Sequence, residues 1–300
     1  MSGKPSTQNT MRWIVGLDLL DLSRGAACFA AWLRDRTGGQ LTGVHVIESA
    51  PYAFEGPGET AAGFGAWVLQ QVREFAQSAG VANSFDSFDA IDATAPEDGL
   101  LAAIEQDRGD ALIIGRRAPR KGSGFIRLGR VARRLVRTLP APVVVVPRDI
   151  AVDEIGKGPV ILATDLADGS RTALQFARMQ ASALDRELVI AHVATTPRAI
   201  RRYASSDSRS KAFAEHVTRV RSSAALWAQQ HDAGDVRLEV ITGTVAAELR
   251  ALAAAEEACL LVVGSRRLSI ATRTFLSSVG SELAASSPVA VAVVPPRDDA

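Results

Sequence analysis

With 300 residues the chain is long enough for two domains, and its 47% hydrophobic content excludes an intrinsically disordered protein. It has no apolar run near the ~18 residues of a membrane span and no apolar secretory segment in residues 1–10, so we expect neither a membrane protein nor an exported one. The net charge of +1 gives no overall bias toward nucleic acid, and two cysteines without a CxxC pair suit buried free thiols in a reducing cytoplasm.

The first half alternates short apolar runs with amphipathic segments, a pattern that predicts strands and helices in turn. Strands are predicted at residues 13–18, 41–47 and 84–91, and helices at 22–37, at 67–77 and after Pro96. Ser23 is a candidate N-cap of the first helix. Residues 50–66 are rich in Gly and Pro and predict a long loop.

A polar linker at residues 148–158 precedes a second half with the same order of elements. Strands are predicted at 160–165, 187–193 and 236–240, and helices at 169–184, around an apolar stripe from Phe213 to Trp227, and at 245–255. Residues 194–210 predict another long loop. A basic cluster lies in and beside this loop: Arg198, Arg201, Arg202, Arg209 and Lys211.

Each half ends with a strand, a polar loop, a helix and a β-branched strand, at residues 111–147 and 260–295. This is the order of the parallel βαβ unit. Runs that are apolar at nearly every position suit strands covered on both faces. The glycine that closes the first strand of each unit, Gly115 or Gly264, falls at the sheet edge where open α/β proteins place ligands.

The two halves are copies of one module. Identical residues recur at an offset of 147 to 149: Asp18 with Asp165, Ser23 with Ser170, His45 with His192 and Gly115 with Gly264. An ordered series of matches with so little drift indicates duplication. The alternation within each copy predicts two tandem α/β domains, each a doubly wound parallel five-stranded sheet, at residues 12–150 and 157–296.

Several motifs at matching places give each half a family resemblance. They are the Asp after strand 1 (VGLD, LATD), the following DLSRGA or DGSRTA, the HV at the end of strand 2, the glycine after strand 4 and the proline-flanked last strand. Each half resembles a universal stress protein domain, and the whole chain is similar to a tandem member of that family. The resemblance implies a Rossmann-like, adenine nucleotide alpha hydrolase-like fold with strand order 3-2-1-4-5.

The resemblance also implies an adenine-nucleotide site, with ATP as the candidate cofactor. In binding members the loop after strand 4 reads GxxG, nine residues, then Gly and Ser or Thr, and its N–H groups and hydroxyl hold the phosphates. The candidate site residues are Asp18, Val46, Gly115, Gly129 and Arg130 in the first half, and Asp165, Val193, Gly264, Ser277 and Ser278 in the second.

Both copies depart from the loop of the binding members. In the first, Ala118 replaces the second glycine, Arg130 replaces the Ser or Thr, and the spacer is one residue longer. In the second, Arg267 and Ser277 occupy glycine positions. A non-glycine residue at a positive φ costs on the order of 1 kcal/mol, whereas an arginine offers a cation to phosphate. The sequence leaves both outcomes open.

Simpler structural roles compete with nucleotide binding. Asp18 and Asp165 suit loop or helix capping, while His45 and His192 have no metal-spaced partners and suit packed or loop-bonding histidines. Residues 116–137 carry nine Arg or Lys and no acidic residue. Such a face, which includes the basic helix 127–137, is most often solvated. Because no aromatic residue interleaves with the cations of this helix, we do not expect nucleic acid to bind there.

Enzyme signatures do not occur in the sequence: there is no GxGxxG after a first strand, no GxxxxGK[ST], no HExxH and no GxSxG. We therefore expect no enzyme. Two functions remain: a non-catalytic stress-response or regulatory protein with degenerate nucleotide motifs and an unidentified protein partner, or an adenine-nucleotide-binding switch, with at most slow hydrolysis, that uses one half.

Family members commonly dimerise through the last strand, so the resemblance implies that residues 142–147 and 288–295 pair as an intramolecular pseudo-dimer, with a homodimer also compatible. Such pairing would cover two apolar edge strands that otherwise invite aggregation. Separately expressed halves should therefore self-associate or precipitate. Size-exclusion chromatography with light scattering measures this, and a soluble monomeric first half contradicts the pairing.

Overall fold

The computed structural model describes residues 10–20, 23–48, 61–116, 128–203, 205–265 and 279–296, and for residues 61, 62, 206 and 207 it describes the backbone alone. The described residues form two compact units, and the boundary between them along the chain lies between Ile155 and Gly156. None of the helices in these ranges combines the length and apolar character that a membrane crossing requires.

The first unit is a parallel sheet with connecting helices. Its strands are β1 (Arg12–Gly16), β2 (Gln40–Glu48), β3 (Ser87–Ala93), β4 (Ala111–Gly115) and β5 (Val143–Val146). Its helices are α1 (Arg24–Thr37), α2 (Ala61–Ser78), α3 (Pro96–Gln106) and α4 (Arg130–Thr138). The strand order is β3-β2-β1-β4-β5, and every neighbouring pair is parallel. The predicted doubly wound fold and its strand order are confirmed.

The second unit repeats this arrangement. Its strands are β6 (Val160–Ala163), β7 (Leu188–Ala194), β8 (Arg237–Thr242), β9 (Leu260–Gly264) and β10 (Val291–Val294). Its helices are α5 (Arg171–Ala183), α6 (Arg198–Tyr203), α7 (Ser206–Gln230), α8 (Val245–Ala255) and α9 (Val279–Ser286). The order β8-β7-β6-β9-β10 is the same as in the first unit, again with parallel neighbours.

The duplication extends to the register of the strands. Trp13 lies opposite Leu41 in the first unit, and Val160 lies opposite Leu188 in the second, so both members of the pair are shifted by 147. A one-residue slip would turn every side chain of a strand to the other face of the sheet. The equal register therefore places equivalent side chains on equivalent faces of the two units.

Burial explains which strands the sequence reveals clearly. Strand β4 is buried at four consecutive positions and β5 along its whole length, as expected for strands covered on both faces. The edge strands β3 and β8 are half-buried along most of their length. The weak pattern at residues 84–91 reflects this exposure, and β3 begins three residues later than predicted, at Ser87.

Both predicted long loops are shorter than expected. Helix α2 begins at Ala61, six residues before the predicted start, because Val68, Val72 and Ala76 bury one face of it and offset the cost of its two glycines. Residues 194–210 contain α6 and the start of α7, so the prediction of one long loop there was wrong, and the second unit has a helix beyond the four predicted. Ser205, between α6 and α7, is the N-cap of α7, because its side chain accepts a bond from the Ser208 N–H.

A buried ion pair joins α3 to α4 in the first unit. The Glu97 side chain is 2% exposed, and its Oε1 accepts a 3.0 Å bond from Arg134, which also donates to Asp98. The other carboxylate oxygen of Glu97 has no hydrogen-bond partner among the residues that the structure describes. The equivalent position in α8, 149 residues later, is the buried Ala246. The fold therefore accepts either a neutralised carboxylate or a methyl group at this place.

We expect Arg134→Ala to lower the free energy of unfolding by about 2 kcal/mol, because it leaves the Glu97 carboxylate buried without its counter-charge. Arg133→Ala on the same helix is the matched control and should change it by at most about 0.5 kcal/mol. The double variant Glu97→Ala/Arg134→Ala should lose less than the sum of the single variants. Urea unfolding of the full chain measures the three single variants, at Glu97, Arg133 and Arg134, and the double variant. Equal losses for Arg133→Ala and Arg134→Ala contradict the role of the pair.

Candidate functional site

The candidate residues of the first half gather at the carboxyl edge of the sheet. Asp18 follows β1, Gly115 ends β4, and Gly129 is the N-cap of α4, whose first residue is Arg130. Strands β1 and β4 are neighbours, while the chain leaves them in opposite directions, toward β2 and β5. This point is the topological switch where open α/β sheets bind ligands.

The Asp18 carboxylate stabilises the turn that leads from β1 into α1. Its Oδ1 accepts bonds from the Leu20 N–H at 3.0 Å and from the Ser23 hydroxyl at 2.7 Å, and the Asp18 N–H donates to Ser23 Oγ at 3.1 Å. Leu19, between them, has a left-handed backbone with φ of 57°. This conformation is strained for a residue with a Cβ, so the Asp18 bonds offset its cost.

The second half builds the same turn 147 residues later. Asp165 Oδ1 accepts bonds from the Ala167 N–H at 3.1 Å and from the Ser170 hydroxyl at 2.9 Å, and Leu166 has a φ of 63°. Here the buried Thr164 hydroxyl adds a bond from the Leu166 N–H. Both aspartates therefore cap a loop, which is the simpler structural role that the sequence also allowed.

Ser23 is the N-cap residue of α1, as predicted, but its side chain has another partner. It lies at the N-cap position of α1, but its side chain makes no capping bond to the helix and instead bonds Asp18. Ser170 does the same at the start of α5. The predicted N-cap position of Ser23 is therefore confirmed, while its side chain bonds the aspartate and not the helix. The available signal was the equal Asp-to-Ser spacing of five residues in both copies.

The two histidines hold the same turn from the neighbouring strand. His45 Nδ1 lies 2.7 Å from the Leu17 carbonyl oxygen, and His192 Nδ1 lies 2.9 Å from that of Thr164. Since a carbonyl oxygen only accepts, the Nδ1 atom of each ring carries the proton. Within the described ranges, no group of three or more His, Cys, Asp or Glu side chains could hold a metal ion. The histidines are thus loop-bonding residues.

The glycines and valines of the site have distinct surroundings. A methyl group on Gly264 would lie 3.5 Å from Ala173 Cβ, an ordinary contact, so β9 ends against the first turn of α5. Val193 is buried, and Val46 packs against the backbone of α3, where a methyl group on Gly99 would lie 2.6 Å from its Cγ1. The two valine side chains therefore contribute to packing.

Cations and acids alternate along the carboxyl edge of the first half. Burial lowers the pKa of the Arg116 guanidinium, while the Asp149 carboxylate opposes this shift, and the side chain remains protonated. Arg130 lies 3.9 Å from Glu48, which links the start of α4 to the end of β2. Both side chains of this pair are more than half exposed, so it contributes at most about 1 kcal/mol.

The first turn of α1 is closed by the backbone. The Gly25 N–H donates a 3.0 Å bond to the Arg148 carbonyl oxygen, and a Cβ at Gly25 would collide with the Pro147 carbonyl oxygen. Glycine is therefore required where α1 meets the chain that leaves β5. One N–H group at this helix end is already bonded and does not face an anion.

Four residues on which the loop comparison rests lie outside the described residues: Ala118, Arg267, Ser277 and Ser278. Their predicted effects on a phosphate site stay predictions. Gly115, Gly129 and Arg130 in the first half and Gly264 in the second are at the strand and helix ends expected for them.

Comparison with known proteins identifies the module. The sequence profile of the universal stress protein family matches residues 10–147 and residues 158–295, which together are most of the chain. The chain belongs to the universal stress protein family. It is a tandem member, with one domain in each unit. No curated protein matches the chain.

Solved structures similar to this universal stress protein share its fold over nearly its whole length. A universal stress protein from Archaeoglobus fulgidus DSM 4304 is 19% identical, with a TM-score of 0.66 and coverage of 97% of this chain and 100% of that one. A functionally unknown protein from Pseudomonas aeruginosa PAO1 is 14% identical, with a TM-score of 0.65 and coverage of 97% and 94%. A universal stress protein in complex with cAMP is 26% identical over 47% of this chain and 99% of its own, but its TM-score of 0.33 gives the match no weight for a ligand here.

The aspartate turn makes a prediction about stability. Asp18→Ala should lower the free energy of unfolding by about 1 to 2 kcal/mol, because it removes the acceptor of the buried Ser23 hydroxyl and of the Leu20 N–H. Asp18→Asn should cost less, since the amide oxygen keeps both bonds. Asp235→Ala, at an exposed carboxylate, is the control. Urea unfolding measures the series, and equal losses for the alanine variants of Asp18 and Asp235 contradict the structural role.

Proposed function

We propose that this universal stress protein is a non-catalytic regulator in the stress response, that it acts through a protein partner, and that its nucleotide sites are degenerate. The observation that carries the proposal is the internal use of both aspartates. In each half one N–H and one hydroxyl fill the two lone-pair sites of Oδ1, at Asp18 and at Asp165. This reduces the capacity of each carboxylate to bind a nucleoside.

Two features of the first half add support. The Gly25 N–H at the start of α1 is bonded to a carbonyl oxygen, and Arg130 stands where nucleotide-binding members have Ser or Thr. The Glu48 carboxylate beside Arg130 brings a negative charge to the region where phosphates would lie. Like charges close together are unfavourable, so this acid opposes triphosphate binding.

The surroundings of the histidines support a non-catalytic role. His45 and His192 each use Nδ1 to bond a backbone carbonyl oxygen. A backbone carbonyl oxygen beyond the end of a strand needs a hydrogen-bond donor, and supplying that donor is a structural reason for each histidine to be present. In this protein the turn orients the ring, and the ring in turn stabilises the turn.

An adenine-nucleotide-binding switch in one half is the second candidate function. It is favoured by the two guanidinium groups, Arg116 and Arg130, that share the carboxyl edge with Asp18. The exposed Arg130–Glu48 pair is weak, so a triphosphate could displace Glu48 and take its place beside Arg130. Slow hydrolysis would be the upper limit of activity in this case.

Isothermal titration calorimetry with ATP separates the two candidates. For the degenerate sites we expect no saturable heat when the full chain is titrated at millimolar ATP, and no phosphate release above background. Binding weaker than millimolar corresponds to less than about 4 kcal/mol of binding free energy, too little for a regulatory ATP site. Saturable binding at lower concentrations contradicts the proposal.

Variants that keep the turn intact then assign any binding that occurs. Asp18→Asn and Asp165→Asn retain the Oδ1 acceptor and remove the charge, whereas the alanine variants remove both. For a switch in the first half, Asp18→Asn and Arg130→Ala abolish binding while Asp165→Asn does not. An unchanged melting temperature in the asparagine variants shows that a loss of heat reports the site and not the fold.

A further inference from the structure

The second unit has a basic surface in the connection between its second strand β7 and helix α7. We call it the α6 patch, and it consists of six exposed side chains from α6 and the first two turns of α7: Arg198, Arg201, Arg202, Tyr203, Arg209 and Lys211. From residue 194 to residue 214 the sequence contains these five cations and one acid, Asp207. The patch therefore presents a concentrated positive charge to solvent.

The charges of α6 are unfavourable for the helix itself. Arg198 precedes Arg201 by three residues and Arg202 by four, spacings that place all three on one side of a helix. No carboxylate among the described side chains lies within ion-pair distance of these arginines. Like charges at such spacings repel each other. A bound anion would remove this repulsion.

The first half shows that the fold does not require these cations. The equivalent connection from strand β2 to helix α2, residues 49–60, contains no Arg or Lys and two Glu in the sequence. Both connections join the second strand of a domain to the helix before its third strand. The cations were therefore acquired or retained in one copy only, which is the pattern expected of a binding surface and not of a packing requirement.

An aromatic ring lies among the arginines. Tyr203 is 77% exposed, and the Arg202 guanidinium carbon lies 5.5 Å from the centre of its ring. Proteins that bind single-stranded nucleic acid combine cations for the phosphates with aromatic rings on which bases stack. Helix α4 (Arg130–Thr138), the basic helix of the first unit, has no such ring, and its Arg134 is already paired with Glu97 and Asp98.

We propose that the α6 patch binds single-stranded nucleic acid, with its arginines on the phosphates and a base stacked on Tyr203. Duplex bases are stacked on one another, so a duplex cannot use the tyrosine in this way. A membrane surface would need large exposed apolar side chains to insert, and the large apolar residues beside the cations, Ile200 and Phe213, are half-buried.

Fluorescence anisotropy with a labelled single-stranded RNA of mixed sequence tests the proposal on the full chain. We expect saturable binding that weakens as salt rises, with log Kd linear in log salt concentration. Arg201→Ala/Arg202→Ala should weaken binding and reduce the salt slope by about 1.4, since each phosphate contact contributes about 0.7 for a single strand. Tyr203→Ala should weaken binding roughly fivefold to one hundredfold with the slope unchanged, and Tyr203→Phe should retain the affinity.

The controls separate an effect of the α6 patch from an effect of the protein's net charge. Arg73→Ala/Lys157→Ala removes two exposed cations outside the patch and should leave Kd and the slope nearly unchanged. The same series with a duplex of equal length, and with vesicles of anionic and zwitterionic phospholipid, completes the test. The proposal is overturned if the strand does not bind at low salt, if the two double variants behave alike, or if duplex or anionic vesicles bind as tightly and without dependence on Tyr203.

Discussion

The hydrogen bonds that close the first strand of each half determine the form of the carboxyl edge. Where β1 or β6 leaves the sheet, its backbone groups lose their ladder partners and must be bonded by other means. The histidine of the next strand bonds the last carbonyl oxygen, and the aspartate bonds the N–H two residues on. These hydrogen bonds stabilise a leucine in the left-handed conformation and direct the chain into the first helix. The candidate contacts Asp18 and Asp165 are held in place by that turn.

The duplicated domain separates what the fold needs from what one copy has gained. The Asp, Ser and His of the turn recur with the same bonds in both units, so they meet a requirement of the backbone. Glu97 in one copy and Ala246 in the other occupy the same buried position. The carboxylate of Glu97 is paired with an arginine, and the methyl group of Ala246 needs no such partner. The cations of α6 have no equivalent in the first copy. Differences of this kind point to function more directly than the shared residues do.

The aspartates predicted as nucleoside contacts are also the residues that hold the turn, so the motif alone does not establish ligand binding. An aspartate after the first strand looks like a nucleoside contact in the sequence, yet its Oδ1 is engaged with Ser23 in one half and Ser170 in the other. A side chain can meet both needs only if its remaining acceptor sites reach the ligand. Fold membership is therefore a weaker statement than site occupancy.

The amino-acid sequence by itself determined the strands that are buried on both faces, the parallel order, the two copies and the family. Continuous apolar runs and an ordered series of matching residues are visible in the residue types alone, whatever the packing. It did not determine α6, the early start of α2 or the true partner of Ser23. These three features depend on which helix and sheet faces pack together, and on hydrogen bonds between residues five or more positions apart. Only the tertiary structure showed that Glu97 is buried against Arg134, and that Tyr203 is exposed among cations, because burial and exposure are properties of the packed chain and not of a residue type.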